Sequence, residues 1–172
     1  MIAAGVLPEV DLGPWLRATG AEDRHLVADQ VRRICHEIGF FHLVGHGVEP
    51  ELLADHVTFR SRFFALAEPV KHQIDKARSP HFRGWEPVGS ELTGGRPDLR
   101  EQLDLATEHP VRGRTVTPPY LRLDGPNQWL PEEILPGFRD HLGRLFAALS
   151  SVADELLDVL SLGLGLDQGH LR

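Results

Sequence analysis

A single cysteine, Cys35, stands in 172 residues, so no internal disulfide can form and a reducing compartment suits the chain. Cys35 falls inside an amphipathic helical pattern, where a thiol behaves as a small buried hydrophobe. Lysine is almost as scarce. Lys71 and Lys76 are the only two among 18 basic residues, an arginine bias read as codon usage and given no functional weight. No apolar run approaches the ~20 residues that span a bilayer. Met1–Val10 has neither the basic start nor the long apolar stretch of a signal peptide. Basic clusters are missing as well, and the formal charge of −7 argues against nucleic acid. These absences describe a soluble, cytoplasmic chain with neither a nucleic acid nor a membrane as its partner.

What is present is ordinary globular composition, 41% hydrophobic and 25% charged, in a length that suits one domain. The densest stretch is Ile38–Val48. Gly39 closes a helix by taking a left-handed conformation, Phe40–Val44 reads as a buried strand, and Gly45-His46-Gly47 permits a tight turn before Pro50 opens the next helix. Upstream, Val6–Leu12 alternates as a short strand. Thr19 and Glu22 fit a capping box for a helix that runs to Ile38, with Val27, Val31, Ile34, Cys35 and Ile38 on one stripe. A second helix, Pro50 to Leu66, is expected to bury Leu53, Val57, Phe63 and Phe64 before Glu68-Pro69 breaks it. A short helical turn over Val70–Ile74 follows.

From Arg78 to Gln128, glycine and proline punctuate strand-like pieces at Arg83–Val88 and Glu101–Thr107, and Val111–Gln128 reads as an extended loop. The longest element comes last. Phe138, Leu142, Leu145, Leu149, Val152, Leu156 and Leu160 follow helical steps, and Phe146, Ala153 and Leu157 widen the stripe enough to lie across a sheet. Left uncovered, such a face would forfeit several kcal/mol at roughly 25 cal/mol per Å². A protein partner, a second copy of this chain or the rest of a larger protein is expected to cover it. The expected layout is a single region, 1–172, divided into strand–helix–strand–helix (1–77), a strand and loop segment (78–130) and the long helix (131–165).

Six blocks in this order resemble the N-terminal region of the non-haem Fe(II)/2-oxoglutarate-dependent dioxygenase family that includes isopenicillin N synthase. Pro8-Glu9-Val10-Asp11-Leu12 is similar to the family's opening strand. Gly39–Val48 resembles its Gly-Phe-Phe-x-Val-x-Asn-His-Gly-Val signature, with Gly45 where asparagine is usual. Phe63-Phe64-Ala65-Leu66 through Lys71 resembles Phe-Phe-x-Leu-Pro-x-x-x-Lys. Arg83-Gly84-Trp85-Glu86-Pro87 with Glu91, Asp98–Asp104, and Gly125-Pro126-Asn127-Gln128-Trp129 match three further blocks. The resemblance implies an α+β fold: N-terminal helices and strands flanking an incomplete double-stranded β-helix (jelly roll), with one long C-terminal helix. It also implies Fe(II) and 2-oxoglutarate as cofactors of the complete enzyme, and a small-molecule substrate that is hydroxylated, desaturated or cyclised.

The family's iron ligands, a His-x-Asp pair and a distant histidine, and its Arg-x-Ser grip on 2-oxoglutarate have no counterpart here. His72-Gln73-Ile74-Asp75 has the wrong spacing, and Arg60-Ser61 and Arg78-Ser79 are adjacent pairs. No catalytic, cofactor or metal residue is therefore assigned. The jelly-roll half that would carry them is absent from these residues, and this chain alone is expected to bind neither cofactor. In the isopenicillin N synthase branch, an arginine in the block that Arg83–Pro87 resembles reaches the substrate carboxylate, which makes Arg83 and Trp85 the candidate substrate-binding residues. The alternatives are a salt bridge from Arg83 to Glu86, Glu91 or Glu101, and a plain core role for Trp85. Asp98, Glu101 and Asp104 read as a solvated strand edge. Two further readings stand beside this one. One is a non-catalytic module that binds a partner through its last helix. The other is a metal-binding protein using His36, His42 and His46, against which His46 more simply caps its own turn.

Overall fold

In the computed structural model, residues 7–18, 20–113 and 115–172 are described. The elements run β1 (Glu9–Asp11), α1 (Gly13–Arg17), α2 (Ala21–Glu37), β2 (His42–Val44), α3 (Pro50–Phe64), α4 (Glu68–Lys71), β3 (Gly84–Glu86), β4 (Leu92–Thr93), β5 (Arg96–Pro97), β6 (Gln102–Asp104) and α5 (Phe138–Gly163). Helices and strands are mixed, and among the described residues the strands form three two-stranded sheets. The chain divides into two compact units, Met1–His56 with His141–Arg172, and Val57–Asp140. The expected cap Thr19 and the expected strand residue Val6 lie outside the described residues.

In the first unit, β1 and β2 pair in parallel with Val10 opposite Leu43, so the link between them must cross over, and α1 and α2 supply it. Pro14 sits in the first turn of α1, a helix the patterning did not announce, which buries Trp15. Val10, Leu12, Trp15, Val27, Ala28, Val31, Ile34 and Val159 form the core, with Phe41, Leu43, Val152, Leu156, Leu160 and Leu162 packed against it. The second half of α5 therefore covers the β1–β2 sheet, as its wide stripe requires.

Two expectations fail here. Cys35 is exposed, because it follows Ile34 by one residue and so points about 100° away from the buried stripe. Phe40 and His42 are exposed as well: extended-chain alternation turns them to the side opposite Phe41 and Leu43, which pack against the core. The helix stop is as expected: Gly39 has φ +94°, and its N–H donates to the Ile34 carbonyl at 3.1 Å. His46 Nδ1 accepts the Val48 N–H at 3.1 Å, the turn-capping role expected of it.

On α3 the buried face is turned from its expected position. Leu52 and Phe63 are buried while Leu53 and Val57 are exposed. The true stripe steps through Leu52, His56, Phe59 and Phe63, and a histidine in its middle conceals it among apolar neighbours. Val48, Leu52 and Leu145 make a second small cluster in the first unit. Phe146 and Leu149 remain 41% and 49% exposed, the outer part of the wide α5 stripe.

In the second unit, Phe63 stacks on Phe138 at 5.2 Å between ring centroids. Pro69 opens α4 instead of breaking α3, which has already ended at Phe64. β3 pairs antiparallel with β6, Trp85 opposite Leu103, where the two strand-like pieces were expected. Between them, Gly94 and Gly95 turn a short hairpin of β4 and β5 where only loop was expected.

Candidate substrate-side site around strand β3

Strand β3 is held from behind by the chain's two lysines. Lys71 is 3% exposed, and its ammonium donates to the Phe64 carbonyl at 3.0 Å and to Glu101 Oε2 at 2.6 Å. The same carboxylate oxygen accepts the Trp85 indole N–H at 2.8 Å, and Lys71 Nζ lies 5.1 Å from the Trp85 ring centroid. Lys76 donates to Glu86 at 3.0 Å and pairs with Asp104 at 2.7 Å. The expected solvated edge is thus corrected. Glu101 and Asp104 are counter-ions to the two lysines, and the scarcity of lysine coincides with a specific use of both.

These contacts set the titration of the site. Burial works against the Lys76 ammonium, but its bonds to Asp104 and Glu86 outweigh that and hold its pKa above the ordinary lysine value. Burial likewise opposes the Glu86 carboxylate, and hydrogen bonds from Lys76 and Gln102 outweigh it, so its pKa lies below 4.5. Glu108 is also lowered, first by the Trp129 indole, with Asn127 and Arg139 helping against burial. A carboxylate with a lowered folded pKa adds stability that is present above the unfolded value and lost as pH falls through the folded one. Denaturation midpoints measured as pH falls from 4.5 downward, below the ordinary glutamate value, should therefore fall more gently for Glu86→Gln than for the parent. Identical slopes would show that Glu86 contributes nothing.

Arg83 sits one residue before β3. Its Nη1 donates to the His81 carbonyl at 2.7 Å and the Phe82 carbonyl at 3.3 Å, and Nη2 donates to Leu123 at 3.4 Å. Its Nε–H is buried and meets no acceptor. The salt-bridge alternatives do not form: Glu86 is taken by Lys76 and Gln102, Glu91 by Arg100, and Glu101 by Lys71 and Trp85. Among the described residues, the Arg83 guanidinium has no carboxylate. Trp85 is 1% exposed, its ring edge-on to His72 and its indole spent on Glu101, so within this chain it packs as core.

Patterning did not single out the residue that ties this region together. Gln128 Nε2 donates to the carbonyls of Ile74 (3.3 Å), Asp75 (2.7 Å) and Arg83 (2.7 Å). Its neighbour Asn127 exchanges two bonds with the Ala106 backbone, at 2.8 and 3.0 Å, and Trp129 donates to Glu108 at 2.9 Å. The only signal in the sequence is their place in the Gly125–Trp129 block.

The histidines do not assemble a metal site. His36 and His42 are exposed, His46 is bonded within its turn, and His72 Nδ1 lies against the Asp75 carboxylate at 2.9 Å. Among the described residues, no group of three or more His, Cys, Asp or Glu is placed to hold a metal ion. The described residues therefore do not fit Fe(II), and no reaction step is routed through it here. No helix among the described residues is long and apolar enough to cross a membrane.

Comparison with known proteins places these features. Residues 7–132 match the family model described as non-haem dioxygenase in morphine synthesis N-terminal. The 2-oxoglutarate-dependent dioxygenase eupC of a Phoma species is 33% identical over 167 residues, 92% of this chain and 51% of that protein. The 2-oxoglutarate-dependent dioxygenase citB of Monascus ruber is 32% identical over 159 residues, 90% of this chain and 47% of that one. The fold is shared with a full-length Neurospora crassa protein, solved in complex with alpha-KG, at TM-score 0.76 and 20% identity, covering 96% of this chain and 49% of that one. A 2OG-Fe(II) oxygenase family protein from Caulobacter crescentus gives 0.75 and 21%, over 96% and 50%. The chain spans about half the length of the curated relatives it matches. A model match over most of these residues, together with six blocks in register, means that the chain belongs to the non-haem, 2-oxoglutarate-dependent dioxygenase family, as its N-terminal region.

Proposed function

We propose that residues 1–172 are a single N-terminal region of an iron-dependent, 2-oxoglutarate-type oxygenase that hydroxylates, desaturates or cyclises a small molecule. Arg83 is its substrate contact. The observation that carries this is the Arg83 guanidinium, which spends its donors on backbone carbonyls and keeps its charge unpaired while every nearby carboxylate has another partner. A planar, permanently charged fork in that state suits a carboxylate on the substrate. Trp85, fixed by Glu101 and Lys71, keeps β3 and hence Arg83 in place, and in the intact enzyme would stand behind the substrate. Iron and 2-oxoglutarate take their ligands from a jelly roll outside these residues, and the outer stripe of α5 (Phe146, Leu149 and Ala153) lies against it. This chain alone is inactive.

The exposure of Phe146 and Leu149 favours a second reading, a non-catalytic module that binds a partner through α5. The intact mass of the natively produced protein separates the two. A mass well above the 19.2 kDa of these residues, with a His-x-Asp in the added sequence, is expected. A native product of 19.2 kDa would overturn the oxygenase reading in favour of the module.

A further inference from the structure

We infer that Gln128 is a positioning residue for Arg83, an inference that rests on Arg83 being the substrate contact. One amide nitrogen, Gln128 Nε2, reaches the carbonyls of Ile74, Asp75 and Arg83, and so joins the Ile74–Asp75 segment to the residue just before β3. A primary amide has two N–H groups, so three acceptors around it share two protons, and the nitrogen is held from three sides. The amide also occupies the space beside Gly84, where an added Cβ would lie 2.5 Å from Nε2.

The two sides of Arg83 are thus fixed differently. Its carbonyl is anchored by Gln128. Its guanidinium is anchored by the carbonyls of His81, Phe82 and Leu123, and His81 in turn bonds the Arg122 carbonyl at 3.1 Å. With the backbone pinned at one end and the fork at the other, few rotamers remain to the long side chain. An arginine already ordered in this way loses little further freedom when a carboxylate binds. Removing the Gln128 donor frees the backbone end while leaving the Arg83 side chain chemically intact. Gln128 does not touch the substrate in this scheme. It acts through Arg83.

The test uses Gln128→Met, which keeps the length and approximate volume of the side chain and removes the donor, with Gln128→Glu as a second variant. The readouts are the NMR cross-peak of the Arg83 Nε–H, its exchange with solvent, and its response to acetate as a simple carboxylate probe. In the parent chain the peak should be sharp and slow to exchange, and should shift saturably with acetate. In Gln128→Met, exchange should quicken and acetate binding weaken, each about tenfold, the scale set by losing one or two hydrogen bonds. Gly163→Ala, which perturbs the approach to the Ala28 carbonyl in the other unit, serves as the destabilised control and should leave the Arg83 peak and the acetate response unchanged.

Equal exchange and equal acetate binding in the parent and both Gln128 variants would overturn the positioning role while leaving Arg83 as the contact. Quickened exchange in the variants, with no acetate response even in the parent, would uphold the link between Gln128 and Arg83 and overturn Arg83 as a carboxylate contact. A change in Gly163→Ala equal to that in Gln128→Met would reduce Gln128 to a general stabilising role and overturn the inference.

Discussion

Gly84→Ala is expected to destabilise the protein by about 3–5 kcal/mol, more than most single methyl additions, because backbone strain and overpacking coincide at this residue. Gly84 has φ +127°, which side-chain-bearing residues rarely adopt, so strain arises before any contact is counted. The added Cβ would also collide with the Ile74 carbonyl oxygen and approach the Lys76 nitrogen at 2.9 Å. Neither obstacle is a flexible side-chain end. Both are backbone, fixed by the short helical turns His72–Ile74 and Lys76–Arg78. The midpoint in urea should therefore fall sharply, and the Arg83 Nε–H signal should lose its dispersion with it. A loss below about 1 kcal/mol would mean that β3 can shift away from its supports, contrary to the tight packing described.

Lys71→Met is expected to cost about 3 kcal/mol. The methionine can fill the stem's volume but leaves Glu101 without its cation, at a carboxylate whose side chain is 25% exposed and which also accepts the Trp85 indole. The Phe64 carbonyl at the end of α3 loses its donor too. The double variant Lys71→Met/Glu101→Gln should be less destabilised than Lys71→Met alone, because the amide carries no orphaned charge and can still accept from Trp85. A double-mutant cycle by urea denaturation reads the coupling directly. Additive effects would show that the pair does not act as a unit.

The elements that could be read from the residues are those whose signals are local. The Gly39 stop, the β1 alternation, the His46 turn, the β3 and β6 pieces and the long α5 stripe each depend on neighbours within a few positions, and each is found in place. The elements that escaped depend on distant partners. Cys35 and Leu53 lie one helical step from a buried stripe, and the choice between adjacent stripes is made by what packs on them. Lys71 and Glu101 are 30 residues apart and look like solvated charges until β3 and β6 bring them together. Asp158 is 2% exposed at the end of α5 because Gln168 and Gly169 donate to it from ten and eleven residues on, contacts that helical periodicity cannot foresee. Gln128 has the same character. Its role lies in three carbonyls, two of them more than fifty residues away. For the candidate site, the residue type of Arg83 was visible in its block, but its lack of a counter-ion was not, since that depends on where every nearby carboxylate finds its partner.

The most direct measurement is thermal denaturation of the purified 172-residue chain, with oxygen excluded, in the presence and absence of Fe(II) and 2-oxoglutarate. A ligand that binds only the native state raises its midpoint in proportion to RT ln(1 + [L]/Kd), and no group of three or more His, Cys, Asp or Glu among the described residues is placed to hold the metal. An unchanged midpoint, with no consumption of 2-oxoglutarate when oxygen is restored, is the expected result. A saturable rise in midpoint, lost on replacing His72 or Asp75, would contradict it and place an iron site within these residues.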